Sequence, residues 1–170
     1  MPRLFFALWP DDGPRRCINT YLNSMSTGIG RRVAAENYHI TLAFLGSVSS
    51  DCCERLITQA STIKGQGFQL ILDRVGCWKK SHTVWMAPTF VPDELNNLVD
   101  QINKIAMSCN VIMDSRRFKP HLTLMRKVKK SIPETPIQAI DWKVNSFALI
   151  ESVTDPEGVR YTERQSWPLT

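Results

Sequence analysis

Short stretches of the chain alternate apolar and polar positions or are apolar throughout, and both patterns predict strands. Residues 68–78 alternate, with Phe68, Leu70 and Leu72 on one face of the predicted strand. Residues 4–9 are apolar throughout, which is typical of a strand buried on both sides. The same criteria predict further strands at 39–46, 83–88, 111–114, 121–128, 144–153 and 159–167. The segment DPEG, at 155–158, predicts a turn between the last two.

Three other stretches repeat their apolar side chains with the period of a helix, and they cover residues 14–25, about 50–64 and 92–108. Ser49, Ser50 or Asp51 is suited to cap the second helix. Glycines at 26–32 and two prolines at 129–138 predict loops.

Two of the predicted strands begin alike, with HITL at 39–42 and HLTL at 121–124. Each follows a predicted helix and a break, and the two histidines stand 82 residues apart, about half the chain. We therefore predict an α+β fold, built as a bilobal duplicated unit with pseudo-two-fold symmetry. Two antiparallel sheets would form a central cleft, with the helices outside.

The composition is that of a soluble globular protein. The chain has 170 residues, 43% hydrophobic and 22% charged, which predicts one domain spanning 1–170. Its net charge of +5 is compatible with an anionic partner such as nucleic acid. Five cysteines without a CxxC pair favour free thiols over a disulfide framework or a zinc site. No stretch has the pattern of a signal peptide or a membrane span, so we expect a cytoplasmic protein with no membrane partner.

The two HxT motifs carry the candidate chemistry. Residues two apart in a strand point to the same face, so His39 lies beside Thr41 and His121 beside Thr123. One imidazole can take a proton from a nucleophile while the other, protonated, gives one to a leaving oxygen. The threonine hydroxyls can donate to the non-bridging oxygens of a phosphate. This chemistry needs no metal and no cofactor, and the residues alone do not say which histidine has which role.

A single HxT in a strand is common, and its histidine is usually structural. Two copies set half a chain apart, each continued by Leu, favour a catalytic pair. The third histidine, His82, has no such partner pattern and is interpreted as a loop or strand-edge residue. The five tryptophans are spread over the whole chain and are interpreted as packing residues.

The segments around the motifs are RLFFALWP, VAAENYHITLAFLGSV, TVWMAP, RFKPHLTLMR and RYTERQSWPL. With the paired HxTx motifs they resemble the 2H phosphoesterase superfamily. They resemble most closely its bacterial RNA 2',3'-cyclic phosphodiesterase family, also called 2'-5' RNA ligase. The resemblance runs nearly from end to end.

The resemblance implies hydrolysis of RNA 2',3'-cyclic phosphate ends to 2'-phosphomonoesters, with reversible 2'-5' ligation as a side activity. It implies that His39 is the proton donor to the leaving 3' oxygen and that His121 is the proton acceptor that activates water. Thr41 and Thr123 would bind the phosphate. The partner would be an RNA or oligonucleotide with a cyclic phosphate end. Since the pseudo-symmetry places both halves of the site in one chain, we expect a monomer with no obligate protein partner.

Arg126 is a further candidate, because proteins of this family often have a basic residue after the second motif and a guanidinium suits a phosphate. Strict alternation places Arg126 on the face opposite His121, so it reaches the cleft only if the strand ends or bulges there. Arg116, Arg117 and Lys119 could line an RNA path, although a solvated basic loop is the simpler interpretation.

Two other functions are compatible with these residues. The first is another activity of the same superfamily, on 2'-5' linked oligonucleotides or a small cyclic nucleotide, which substrate size and nucleotide preference would distinguish. The second is a non-catalytic RNA-binding module, which tight RNA binding without turnover would favour. The presence of His and Thr at all four motif positions argues against it.

Overall fold

The computed structural model describes residues 3–113, 115–155 and 158–170. Within these ranges the chain forms three α-helices and nine strands. The helices are α1 (Asp12–Ser24), α2 (Ser50–Ala60) and α3 (Asp93–Ser108). The strands are β1 (Arg3–Leu8), β2 (Arg31–Arg32), β3 (Ile40–Ser47), β4 (Phe68–Trp78), β5 (Thr83–Ala87), β6 (Leu122–Arg126), β7 (Thr135–Val144), β8 (Ser146–Asp155) and β9 (Gly158–Pro168). None of the helices in these ranges combines the length and apolar character that a membrane crossing requires.

The sheet has two halves that meet edge to edge. Strands β3-β1-β8-β9 form the first half-sheet, and strands β6-β5-β4-β7 form the second. They join where β3 lies antiparallel to β6, through the single pair Ile40–Leu122, and β2 pairs with β6 beside this junction. The predicted α+β fold with two antiparallel sheets is confirmed, and the two sheets are continuous at one bridge.

The two halves repeat one arrangement of strand, helix and neighbouring HxT strand. In the first copy this is β1, α1 and β3, and in the second it is β5, α3 and β6. Both helices of the repeat reach across the junction, since α1 of the first copy packs against β7 and α3 of the second packs against β3. Buried side chains of all three helices join those of both half-sheets in one core. The opposite face of the sheet is therefore left for the cleft.

Local sequence explains where the helices begin and end. The hydroxyl of Ser49 accepts the Cys52 backbone N–H at 3.2 Å and caps α2, as predicted. The C-terminal end of α3 has a different signal: Asn110 takes φ 61°, and the Val111 N–H donates to the Ala106 carbonyl. This is a Schellman ending, which stops α3 and occupies the Val111 N–H.

The strand predicted at 111–114 is wrong for residues 111–113, because the Val111 N–H serves that helix ending and is not available to a sheet. Asp114 lies outside the described residues. In the predicted DPEG turn, Pro156 and Glu157 also lie outside them, while β8 and β9 on either side pair as expected.

The loop predicted at 129–138 is wrong from Thr135 onward, where β7 begins. A proline inside a strand argues against an inner position, but β7 is the end strand of the sheet and pairs only with β4. Pro136 therefore removes no hydrogen bond between inner strands. The predicted loop at 26–32 likewise ends in a short strand, β2, which the sequence pattern did not indicate.

Candidate active site

The first HxT motif stands at the start of β3, with its side chains on the cleft face. His39 and Thr41 are both half-buried, while Ile40 and Leu42 lie in the core. The Nδ1 of His39 lies 2.7 Å from the backbone carbonyl oxygen of Asn37, two residues earlier. A carbonyl can only accept a hydrogen bond, so Nδ1 carries the proton.

Aromatic rings surround the His39 imidazole. The Trp9 ring stacks on it at 4.9 Å with an angle of 11° between the planes. Phe5 lies 5.1 Å away, and Tyr161 meets the imidazole edge-on at 5.1 Å. These rings belong to a small apolar cluster on the cleft face that is separate from the main core. His39 is therefore held in one orientation and largely removed from water.

The second HxT motif repeats this arrangement at the start of β6. The Nδ1 of His121 lies 2.8 Å from the carbonyl oxygen of Lys119, again two residues earlier. Its ring meets the Trp78 ring edge-on at 4.4 Å, and Trp78 in turn packs on Trp85 at 5.7 Å. Thr123 is half-buried and pairs across the strands with Trp85, on the same face as His121.

The two motifs meet at the junction of the half-sheets. Ile40 pairs with Leu122, and each of these residues stands between the His and the Thr of its motif. The positive charge of a protonated His121 lowers the pKa of His39, which agrees with two imidazoles close together on the cleft face. Since both Nδ1 atoms donate to backbone, both Nε2 atoms are available for proton transfer.

A bulge in β6 decides the position of Arg126. Thr123 pairs with Trp85 but Met125 pairs with Val84, so Leu124 is an extra residue without a partner in β5. Beyond the bulge the alternation is reversed, and Met125 is buried while Arg126 is exposed. The condition under which Arg126 reaches the cleft is thus met. Its charge acts on both imidazoles, which agrees with this position.

A matching bulge in β3 places Phe44 on the cleft face, which the sequence pattern did not indicate. Ala7 pairs with Thr41 but Phe6 pairs with Ala43, so Leu42 is the extra residue. Phe44 then pairs with Phe5, and its ring is 67% exposed. Phe44 follows its histidine by five residues, as Arg126 follows His121. The repeat therefore offers an exposed aromatic ring on one side and a cation on the other.

The free site disfavours protonated imidazoles. Burial lowers the pKa of His39 from its ordinary value near 6.5 to about 4, with smaller contributions from the charges of Arg126 and His121. Burial also lowers the pKa of His121, and the charge of Arg126 adds to this. The hydrogen bonds to the carbonyls of Asn37 and Lys119 oppose the shifts only in part. Both imidazoles are therefore mostly neutral at pH 7 in the free protein.

The other residues considered in the sequence are the third histidine, the tryptophans and the basic residues before the second motif. His82 is exposed in the turn before β5 and donates from Nδ1 to the Val128 carbonyl at 3.1 Å, in agreement with the interpretation as a strand-edge residue. Trp142 and Trp167 are buried packing residues, as expected. Trp85 is also buried and packs on Trp78. Trp9 and Trp78 are different, because their rings contact the histidines on the cleft face. Arg116, Arg117 and Lys119 are exposed in the segment before the second motif.

Comparisons with known proteins agree with this arrangement. The family model for LigT like Phosphoesterase matches residues 9–85. The chain is 34% identical to the RNA 2',3'-cyclic phosphodiesterase of Escherichia coli strain K12, over 99% of this chain and 97% of the relative. It is 29% identical to the RNA 2',3'-cyclic phosphodiesterase of Archaeoglobus fulgidus, over 95% and 97%.

Among solved structures, the crystal structure of E. coli LigT in apo form has a TM-score of 0.92 at 34% identity and covers 99% of this chain and 98% of its own. The crystal structure of E. coli LigT complexed with 3'-AMP has a TM-score of 0.88 over the same shares. The fold and the two HxT strands at its junction define a two-histidine phosphoesterase. More narrowly, the chain belongs to the LigT-like phosphoesterase family.

Proposed function

We propose that this protein hydrolyses 2',3'-cyclic phosphate ends of RNA or oligonucleotides to 2'-phosphomonoesters, with His39 and His121 as its acid and base. The observation that carries the proposal is the matched hydrogen bonding of the two imidazoles. Each donates from Nδ1 to the carbonyl two residues earlier, at 2.7 and 2.8 Å, and so presents Nε2 for proton transfer. The names of the relatives point to the same reaction.

In the proposed reaction the two imidazoles move one proton each. The Nε2 of His121 takes a proton from water as the water oxygen bonds to phosphorus. The bond from phosphorus to O3' breaks, and the Nε2–H of His39 gives its proton to O3'. The products are a 2'-phosphate and a 3'-hydroxyl. The site is nearly symmetric, so the assignment of donor to His39 and acceptor to His121 rests on the resemblance to the family.

The proposed donor needs a proton that the free protein does not hold at pH 7. The pKa of His39 is about 4 in the free site because its imidazole is buried and has cations as neighbours. A bound phosphate brings negative charge beside the imidazole, which favours the protonated form and raises this pKa. In this proposal, binding of the substrate therefore raises the pKa of His39 enough for its imidazole to take up the proton that it later donates.

Three side chains are suited to hold the phosphate between the rings. The hydroxyls of Thr41 and Thr123 lie on the same face as the histidines and can donate to the non-bridging oxygens. The guanidinium of Arg126 can bind two of these oxygens and stabilise the charge that develops on them. Phe44 offers an exposed ring on which the terminal base can stack.

The test uses an RNA that ends in a 2',3'-cyclic phosphate, in buffer with EDTA, and phosphorus NMR identifies the product. We expect a 2'-phosphate from the parent protein. The variants His39→Ala and His121→Ala should each lose about 10²- to 10⁴-fold in turnover, the usual contribution of one positioned acid or base. Lys104→Ala, an exposed change on α3, serves as the control and should retain full turnover.

Each other outcome has a defined meaning. A 3'-phosphate would retain the two-histidine chemistry but reverse the leaving group, so the proposed substrate orientation would be wrong. A loss of less than about fivefold in either histidine variant would reject the acid and base roles. Tight binding of the RNA without turnover would favour the binding-module alternative.

A further inference from the structure

A surface groove beside the proposed active site is lined at one point by Arg126. Two segments form it, residues 81–83 before and within β5 and residues 126–129 at the end of β6, and its volume is about 500 Å³. We call it the basic groove. Arg126 lines this groove, and its charge also acts on both histidines, so the groove lies next to the proposed site.

The basic groove carries positive charge that no ion pair among the described residues neutralises. Arg126, Lys127 and Lys129 line it. The chain has no Asp or Glu at 74–92 or at 115–133, the two stretches that contain the groove segments. In the part of the chain that the structure describes, no ion pair involves these three cations. The potential along the groove therefore favours an anion.

Like charges also face each other at the end of the groove nearest the site. Arg31 of β2 pairs directly with Arg126 of β6, so their side chains share one face of the sheet. Like charges directly opposite each other in a sheet are destabilising. An anion bound between them would offset this repulsion.

The groove has a fixed backbone. His82 and Lys127 both take positive φ angles, 49° and 55°, which non-glycine residues adopt at an energetic cost. The Val128 N–H donates to the His82 carbonyl at 3.0 Å, and the His82 ring bonds back to the Val128 carbonyl. The Lys129 N–H donates to the Ile29 carbonyl at 2.9 Å. The 126–129 segment is thus held from both sides, and its lysines start from fixed positions.

We propose that the basic groove binds the sugar–phosphate backbone of the RNA on the 5' side of the terminal cyclic phosphate. The proposal rests on the proposed function and adds the location of the RNA nucleotides that precede the reacting end. A single nucleotide fills the site at the junction and places no phosphate along Lys127 and Lys129. A longer strand continues from the reacting end and brings one negative charge with each further nucleotide, which matches a line of cations.

The test compares substrate length in two variants with equal net charge. The groove variant is Lys127→Gln with Lys129→Gln, and the control is Lys64→Gln with Lys104→Gln, two exposed lysines outside the groove. The substrates are adenosine 2',3'-cyclic phosphate and a ten-nucleotide RNA with the same end, assayed at low salt. Fluorescence anisotropy with the 2'-phosphorylated ten-nucleotide RNA measures binding without turnover. Circular dichroism confirms that both variants are folded.

For the groove variant we expect kcat/KM on the ten-nucleotide RNA to fall about tenfold or more, and to fall less than about threefold on the mononucleotide. The slope of log affinity against log salt should become shallower by about 1.4, since each contact with a single-strand phosphate contributes about 0.7. The control variant should match the parent on both substrates.

Equal losses on both substrates would place the lysines at the reacting phosphate and overturn the proposal, as would equal losses in the control. A parent that hydrolyses the mononucleotide and gains nothing from added length would overturn the groove alone and leave the proposed function standing. A parent that hydrolyses neither substrate would overturn the proposed function. The anisotropy measurement would then decide the groove separately, since salt slopes equal in parent and groove variant would reject it.

Discussion

His39 makes the stability of this protein depend on pH. In the unfolded chain its imidazole has the ordinary pKa near 6.5, whereas burial in the folded protein lowers that pKa to about 4. Between these values the unfolded state binds a proton that the folded state does not. The stability that this difference contributes is complete above pH 6.5 and is lost as the pH falls through that range toward 4. The His39→Ala substitution should remove this dependence.

The two pKa values set the size of the effect. At pH 4 the parent protein should have lost about 3 kcal/mol through His39, and at pH 5.5 about 1.4 kcal/mol, because one pKa unit corresponds to about 1.4 kcal/mol. His39→Ala should therefore gain these amounts relative to the parent when the pH is lowered from 7. Alanine also removes contacts with Trp9 and Phe5. That loss is the same at each pH and cancels in the comparison.

Urea unfolding followed by circular dichroism at pH 7, 5.5 and 4 measures the difference for parent and variant. His121→Ala should change with pH in the same direction, because burial lowers that pKa as well. NMR titration of the imidazole protons gives the pKa of His39 independently. A stability difference between parent and His39→Ala that varies by less than about 1 kcal/mol from pH 7 to pH 4 would refute the reasoning.

Other substitutions test the neighbours of the histidines. Arg126→Gln should raise the pKa of both imidazoles, since its charge lowers them now, and NMR titration that finds both unchanged would reject its position. Phe44→Ala should lower kcat/KM for a cyclic nucleotide about 5- to 150-fold, the usual effect of a lost stacking ring. Met107→Ala, which removes another exposed apolar side chain but on α3, should have no effect. Gly76→Ala should destabilise the fold by about 1–3 kcal/mol, because the added Cβ would lie within 3 Å of the Trp85 ring. Thermal unfolding measures this, and an unchanged melting temperature would contradict it.

The amino-acid sequence determined the parts of this protein that depend on short stretches of chain. The period of apolar residues predicted α3 and β4 almost to the residue, because a helix or strand must place those residues on one side whatever its neighbours are. Alternation in a strand likewise placed His39 beside Thr41 and His121 beside Thr123 on one face. The duplicated motif then indicated that two such strands meet.

The tertiary structure alone decided which further side chains face the cleft beside the two histidines. The bulges at Leu42 and Leu124 turn Phe44 and Arg126 to the cleft, and a bulge exists only in the register of a strand against its neighbour. In the same way Trp9 and Trp78 became neighbours of the histidines through the strand order, which joins residues distant in the chain.

The size of the pKa shifts of the two histidines also could not be predicted from the sequence. The imidazole of His39 loses much of its contact with water because Phe5, Trp9 and Tyr161, from opposite ends of the chain, pack around it. A sequence pattern predicts on which face of a helix or strand a residue lies. The pKa of a cleft residue depends on which residues of other strands pack against that face. Local periodicity therefore predicted the faces on which the two histidines lie, while the pairing of distant strands set their surroundings, their pKa values and the groove beside them.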